Sequence, residues 1–340
     1  MKKTLIAASI AALATATSAA HASVTLYENE EGTSSLSSYG RIALQLQNFD
    51  GENEIQDSYS RFGFSGESQI NDDLTAFANA EFRFNSGFTH DAAMTTRYTF
   101  VGVEGGFGKI TAGNFDSVYY STVAGNADLM EELGWRTMDN KGEGFSLAYE
   151  SMDFNGLQLH LGLRHYNSED SRSGTAYPSY SGGVDEDGDV ITGGDEEWNV
   201  QVGLTYALND ALTFGFAFDQ NNEDTPDGGA DPIFALSATY AVDAYSAFAV
   251  FEMEDDAYII NLGGSYTYGP GDIYGMVSFK DDGTDNNNTG VDFALGANYL
   301  LGDNFYTFAE FALGNDDVSE IQDADDDGTV AVTLGAVYTW

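Results

Sequence analysis

The chain has 340 residues, with 12 Lys and Arg against 55 Asp and Glu and a formal net charge of −43. That balance argues against nucleic acid as a partner, and against anionic surfaces unless a divalent cation bridges them. There is no Cys, so an exported chain of this size must be held by something other than disulfides, and a large hydrogen-bonded sheet would do so.

Residues 1–22 read as a cleaved secretory signal. Lys2 and Lys3 form a positive start, Leu5 to Ala16 a short apolar run, and Ala20-His21-Ala22 a small-residue cleavage site. Removing this segment takes away two cations and no acid, which makes the remaining domain, 23–340, more acidic still. No later stretch approaches 18 consecutive apolar residues, so no spanning helix is expected; strands of a membrane barrel are shorter and only half apolar, and stay possible. Extreme acidity is common in disordered chains. Here 23 Phe, 20 Tyr and a regular pattern point the other way.

After residue 35 the helical period is nearly absent. Alternating segments of about ten residues recur instead, at 36–48, 58–70, 74–85, 96–105, 108–114, 138–150, 157–166, 197–208, 211–220, 232–242, 244–253, 257–268, 271–280, 290–300, 304–313 and 328–340. Short connections, among them Asn71-Asp72-Asp73, Phe154-Asn155-Gly156, Asn209-Asp210, Asp243, Gly269-Pro270 and Gly302-Asp303, alternate with long acidic ones at 49–57, 86–95, 115–137, 167–196, 221–231, 281–289 and 314–327. The expected fold is all-β: a 16-stranded antiparallel transmembrane β-barrel with short periplasmic turns and long external loops.

In YGRIALQLQ, Arg41, Ala43, Gln45 and Gln47 share one face and Ile42, Leu44 and Leu46 the other. In AFANAEFRF, Asn79, Glu81 and Arg83 oppose Ala78, Ala80, Phe82 and Phe84. A barrel of this strand number has a lumen too wide for side chains to fill, so the polar face is expected to line water and the apolar face lipid. By the same alternation Arg97 should face the lumen with Thr99 and Val101, leaving Tyr98, Phe100 and Gly102 for lipid. Arg41, Arg61, Arg83 and Arg97 then form a cationic stripe on one wall. Tyr39, Tyr59, Tyr98, Tyr206, Tyr240, Tyr266, Tyr268, Tyr299, Tyr338 and Trp340 near strand ends suit interfacial girdles, or ordinary β-propensity.

The connection 115–137 is long and mixed, with Val118, Tyr119, Tyr120, Leu129, Met130, Leu133 and Trp135 beside Asp128, Glu131 and Glu132. It can fold inward and set its acids across a narrowed pore from the Arg stripe. A surface loop with solvated acids fits the pattern equally well. DADDDG at 323–328 opens like a calcium loop, but its twelfth position is Leu334; it and DEDGD at 185–189 read as solvated loops with, at most, weak Ca²⁺ or Mg²⁺ binding that bridges to anionic lipopolysaccharide. Beyond the signal the only His are His90, His160 and His165, and no Ser and acid spacing selects a triad. No enzyme and no cofactor are expected.

The chain resembles the Gram-negative general porins, trimeric sixteen-stranded diffusion channels. SVTLYENEEGTSSLSSYGRI is similar to their N-terminal strand and hairpin, YSRFGFSGESQINDDLTAFANAEFRF to their second and third strands, and TTRYTFVGVEGGFGKITAGNF to their fourth and fifth. VYYSTVAGNADLMEELG resembles their inward-folded third loop and VAVTLGAVYTW their last strand. The resemblance implies that Arg41, Arg61, Arg97 and Arg136 belong to the basic side of the constriction, Asp128 and Glu132 to the acidic side, and Tyr120 to the loop beside them; Arg83 has no counterpart. Glu131 stands where enterobacterial members have Pro, and Trp340 where Phe is usual. The ending Val332, Leu334, Ala336, Tyr338, Trp340 resembles the signal read by the outer-membrane assembly machinery, and is also what a lipid-facing last strand would show. The resemblance further implies a homotrimer among lipid and lipopolysaccharide, a passive channel for small hydrophilic solutes. The net acidity adds an expected preference for cations. A substrate-preferring porin, for oligosaccharides for instance, or an adhesin or receptor anchored by a barrel, are the alternatives.

Overall fold

The structure, a computed structural model, describes residues 23–49, 51–84, 94–134, 137–138, 144–167, 196–220, 224–225, 228–229, 231–283, 289–314 and 329–340. The signal, His90, Arg136 and the acidic runs at 185–189 and 323–328 lie outside them.

The strands follow in chain order: β1 (Val24–Glu28), β2 (Ser34–Phe49), β3 (Glu52–Asp57), β4 (Arg61–Asn71), β5 (Leu74–Phe84), β6 (Met94–Gly105), β7 (Gly108–Phe115), β8 (Gly144–Glu150), β9 (Leu157–Asn167), β10 (Glu196–Ala207) and β11 (Leu212–Asp219). A two-residue pair, β12 (Asp224–Thr225) and β13 (Gly228–Gly229), precedes β14 (Ile233–Val242), β15 (Tyr245–Glu254), β16 (Ala257–Thr267), β17 (Asp272–Asp281), β18 (Thr289–Gly302), β19 (Phe305–Gly314) and β20 (Thr329–Thr339). A short helix α1 (Val118–Thr122) and a 3₁₀ turn (Ala124–Ala127) lie between β7 and β8.

Every wall strand pairs antiparallel with its sequence neighbour, and β20 pairs with β2, so sixteen strands close into a barrel. Closure leaves no backbone edge in lipid, the condition for strands to span a bilayer. The outer faces carry the apolar half of the alternation: Ile42, Leu44, Leu46, Val200, Leu236 and Leu334 are exposed, while Arg41, Ala43 and Gln45 are buried within. Exposed Tyr206, Tyr240, Tyr266, Tyr299 and Tyr338 stand near the short-turn ends of their strands, as an interfacial girdle requires.

Four sequence expectations change. Residues 49–57 are not a long loop: Glu52–Asp57 forms β3, paired residue by residue with Leu44–Phe49. The connection after β15 is a tight turn at Asp255 and Asp256, with Asp255 at φ 49°, so one loop on the long-loop rim is short. The strand expected from 138 is described only from Gly144. On β6 the inward parity is reversed beyond Arg97. The register slips between Glu81–Tyr98 and Phe82–Thr96, which makes Arg97 the extra residue of a β-bulge. Both Arg97 and Tyr98 therefore reach the lumen side. After the bulge Phe100 and Gly102 face in, and Val101, 60 % exposed, faces lipid.

The seam of the barrel is composite. Trp340 exchanges backbone hydrogen bonds with Gly40, at 3.0 and 3.1 Å. On the same edge of β2, Val24 stands opposite Ser38. The C-terminal strand and β1 thus follow one another in a single column along β2.

Candidate functional site

Between β7 and β8, residues 116–134 and 137–138 fold into the lumen and settle on the inner wall. Ser117 caps α1, accepting from the Tyr120 N–H at 3.0 Å. The helix lies against a dent in the wall. A Cβ added at Gly203 would come within 2.5 Å of the Thr122 side chain, and one at Gly162 within 3.0 Å of Val118. Beyond α1, Tyr119, Val123, Ala124, Ala127, Leu129, Met130 and Leu133 bury against Ile233, Ala235, Phe248, Val250, Met276, Ala294 and Ala312. This is the apolar core of the protein, and it sits inside the pore.

Two wall carboxylates fasten the segment. Glu310 accepts the backbone N–H groups of Glu131, Glu132 and Leu133 at 2.6, 3.0 and 3.0 Å, with the Tyr274 hydroxyl donating at 3.0 Å. Glu252 accepts from the Tyr119 and Thr137 hydroxyls, both at 2.8 Å, and from the Met138 N–H at 3.0 Å. A third tie runs from the Val118 N–H to Gln201 Oε1, 2.9 Å. A loop has no ladder to satisfy its backbone, so buried acceptors must take that part. Sequence reasoning missed Glu252 and Glu310; the available signal was an acid next to apolar residues on one face, Phe248 and Val250 before Glu252, Phe308 and Ala312 about Glu310.

The basic wall is a ladder. Arg41 stands directly opposite Arg61, and Arg61 opposite Arg83. Like charges in register repel, and the structure offsets this with acids. Glu81, two residues before Arg83 on the same face and only 3 % exposed, holds Arg97 Nη1 at 2.7 Å and Arg61 Nε at 3.7 Å. Arg97 also lies over the Tyr98 ring, 4.2 Å from its centre. Glu81 is a site residue that the sequence pattern placed inward without singling it out.

The acids do not all stand across a gap from the arginines. Glu131 reaches Arg41 directly, 3.0 Å, and accepts from the Tyr306 hydroxyl at 2.8 Å. Glu132 accepts from Ser58 at 3.3 Å, and Asp128 accepts from the Tyr120 hydroxyl at 2.6 Å. Burial pushes the Glu132 carboxyl above the ordinary carboxylate range, against the opposing pull of its hydrogen bonds and of Arg41. Burial and the neighbouring Asp128 carboxylate raise the Tyr120 hydroxyl well above its ordinary value.

Three of the tyrosines expected in girdles line the lumen instead. Tyr39 donates to Asn79 at 3.0 Å, and Tyr98 to Asp116 at 2.8 Å. Tyr59 lies under the Arg83 guanidinium, 5.2 Å from its ring centre. On β9, His160 faces inward with its Nδ1 3.8 Å from Glu150 and Nε2 3.4 Å from Thr205, a polar lining contact. Tyr338 and Trp340 stack on the outer face, ring centres 6.5 Å apart.

A closed barrel with a charged segment folded into its lumen suits the passage of solutes, and comparison with known proteins decides which barrel this is. Residues 7–319 match the Gram-negative porin family. The chain belongs to that family. A monosaccharide porin of Halomonas sp. is 27 % identical over 387 aligned positions, which cover 99 % of this chain and 100 % of the relative. Outer membrane protein S2 of Salmonella typhi is 25 % identical, with coverage of 99 % and 100 %. Among solved structures, Salmonella typhi OmpF in complex with daunomycin superposes with a TM-score of 0.69 at 18 % identity, covering 93 % of this chain and 100 % of that one. An anion-selective porin from Comamonas acidovorans gives 0.67 at 13 % identity, covering 90 % and 100 %. At such identities the structures speak for the fold alone. This porin is a non-enzymatic diffusion channel in the outer membrane of a Gram-negative bacterium.

Proposed function

We propose that the porin passes small hydrophilic solutes with a preference for cations, and that its constriction lies between the segment 115–138 and the wall of β2, β4, β5 and β6. One observation carries the preference: the arginine ladder is largely neutralised from within. Arg41 is paired with Glu131, and Arg61 and Arg97 with Glu81. Asp128, Glu132 and Asp116 on the loop side offset the remaining charge of the arginines, so the wall does not oppose the attraction of cations by a chain of formal net charge −43, an attraction that confinement strengthens. Arg136 continues the basic side in this reading.

The assembly is a homotrimer, a reading supported by the trimer form known for Vibrio cholerae OmpT, whose fold superposes at TM-score 0.65. The outward aromatic ending at Tyr338 and Trp340 serves the assembly machinery, and the external acids of the long loops bind divalent cations that bridge to lipopolysaccharide. The test is planar-bilayer conductance with a salt gradient. Insertion in steps of three, with a reversal potential of cationic sign, is the expected result; an anionic sign overturns the preference, and silence returns the barrel to an anchor.

A second reading has its own support. The Halomonas relative bears the name monosaccharide porin, which favours a preference for small sugars within the same pore.

A further inference from the structure

The wall strand that begins as β3 and resumes as β4 is broken at Ser58-Tyr59-Ser60. These three residues oppose only Ile42 and Ala43 on β2, since Leu44 pairs with Asp57 and Arg41 with Arg61. Tyr59 sits at φ 56°, a left-handed backbone conformation unfavourable for a bulky side chain. The break is nonetheless tightly made. Ser58 and Ser60 are fully buried. The Ser58 N–H donates to the Ala43 carbonyl at 2.9 Å, and the Ser60 N–H to Asp57 at 2.7 Å. Ser60 Oγ accepts from the Ala43 N–H at 2.9 Å. Strain held by a fully satisfied frame is the mark of a position kept for use.

What the frame presents is the Tyr59 ring, 47 % exposed in a barrel whose other lumen residues beside it are mostly covered. Arg83 lies against the ring. Ser58, next in the chain, holds Glu132 at 3.3 Å, and Asp128, four residues before it on the inward segment, is held by the Tyr120 hydroxyl at 2.6 Å. The site therefore joins an accessible aromatic surface, a fan of guanidinium donors and two carboxylate acceptors. A small cation meets Arg83 there, and a small anion meets the two acids. A neutral ring-shaped polyol uses all three: its C–H face lies on the aromatic, and its hydroxyls both donate and accept.

We propose that Tyr59, Arg83, Asp128 and Glu132 form a subsite for a neutral pyranose at the narrowest part of the pore. This rests on the reading that the segment 115–138 and the arginine wall bound the constriction. Binding is weak, as a channel needs, because a solute must leave as readily as it enters.

The test is sugar-induced current noise on single channels of the full protein in planar bilayers, with glucose as probe and sorbitol, a linear polyol of the same size, as control. Glucose should interrupt the current saturably, and sorbitol should not. Tyr59→Asn keeps the backbone frame, because Asn tolerates the left-handed region, and should weaken the apparent glucose affinity about tenfold or more. Tyr59→Phe should retain it. Equal effects of glucose and sorbitol, or glucose interruption unchanged in Tyr59→Asn, overturn the subsite. Failure of the constriction reading looks different: there the Asp128→Asn/Glu132→Gln variant leaves the reversal potential where the wild type has it.

Discussion

The two walls of the lumen obey opposite rules. On β2, β4 and β5 the inward face is polar, carrying Arg41, Gln45, Arg61, Asn79, Glu81 and Arg83, several of them buried in ion pairs. On β14 to β19 the inward face carries the apolar Ile233, Ala235, Phe248, Val250, Met276, Ala294 and Ala312, among which stand Glu252, Glu310 and buried polar residues such as Ser237, Asn261 and Ser278. Both lie in the same barrel with the same lipid outside. The difference is the segment between β7 and β8, which packs its apolar side chains on the second wall and meets the first through polar contacts, Glu131 with Arg41 and Glu132 with Ser58. An inward residue is thus chosen by what lies over it and not by the lumen as such. The bare wall stays polar, and the covered wall is a core turned outside in.

That contrast can be broken most severely at the covered wall. Glu310→Ala strips three buried backbone donors of their acceptor, at about 1–3 kcal/mol for each one left bare. The segment should leave the wall while the barrel stays closed. Limited proteolysis should then cut within 115–138, and single-channel current should become larger and noisier. A segment as resistant as in the wild type would show that the apolar contacts alone hold it. Leu133→Ala tests those contacts, with a cost of about 2–5 kcal/mol typical for a buried Leu and a milder increase in cleavage.

At the bare wall the expected effects are electrical. Glu81→Gln removes the shared partner of Arg61 and Arg97, so cation preference should fall. Arg97→Ser removes a cation and bulk, so cation preference and conductance should both rise. Reversal potentials in a salt gradient read both. The shifts should shrink toward molar salt, where screening shortens to about 3 Å. Shifts of equal sign would dissolve the contrast between the walls.

The smallest effect expected is with pH. The Glu132 carboxyl is raised by burial, so it takes up its proton at a higher pH than an ordinary carboxylate. Acidification from neutral pH should lower cation preference, beginning before ordinary acids titrate, and Glu132→Gln should remove that first part of the pH dependence. A reversal potential flat across the same range in the wild type would place Glu132 outside the ion path.

Strand count and most strand bounds were legible because lipid enforces a period of two on every outer face. The departures have local causes. Arg97 was placed inward, but the bulge it creates turns Thr99 and Val101 outward and Phe100 inward, and no sequence parity survives an inserted residue. Residues 52–57 read as loop because their acids suit water at the rim, and yet they pair fully with β2. On β14 the inward face mixes Ile233 and Ala235 with Ser237 and Thr239, so alternation could not announce a wall prepared for the loop. In the candidate site the arginines were legible as rare cations at inward positions. Glu81 and Glu310 were not, because among so many acids a carboxylate stands out only by its depth.

The composite seam bears on how the chain is made. The contacts that close the barrel join β2 to β20, and the final residue, Trp340, sits opposite Gly40. Elements nearly the whole chain apart must meet before any edge is covered, a long-range pairing that is slow to form. A chain cut short at its C-terminus has every preceding strand and still cannot shut. Closure therefore depends on β20: a chain without that strand keeps the facing edges of β2 and β19 unpaired, and open edges invite association with other chains.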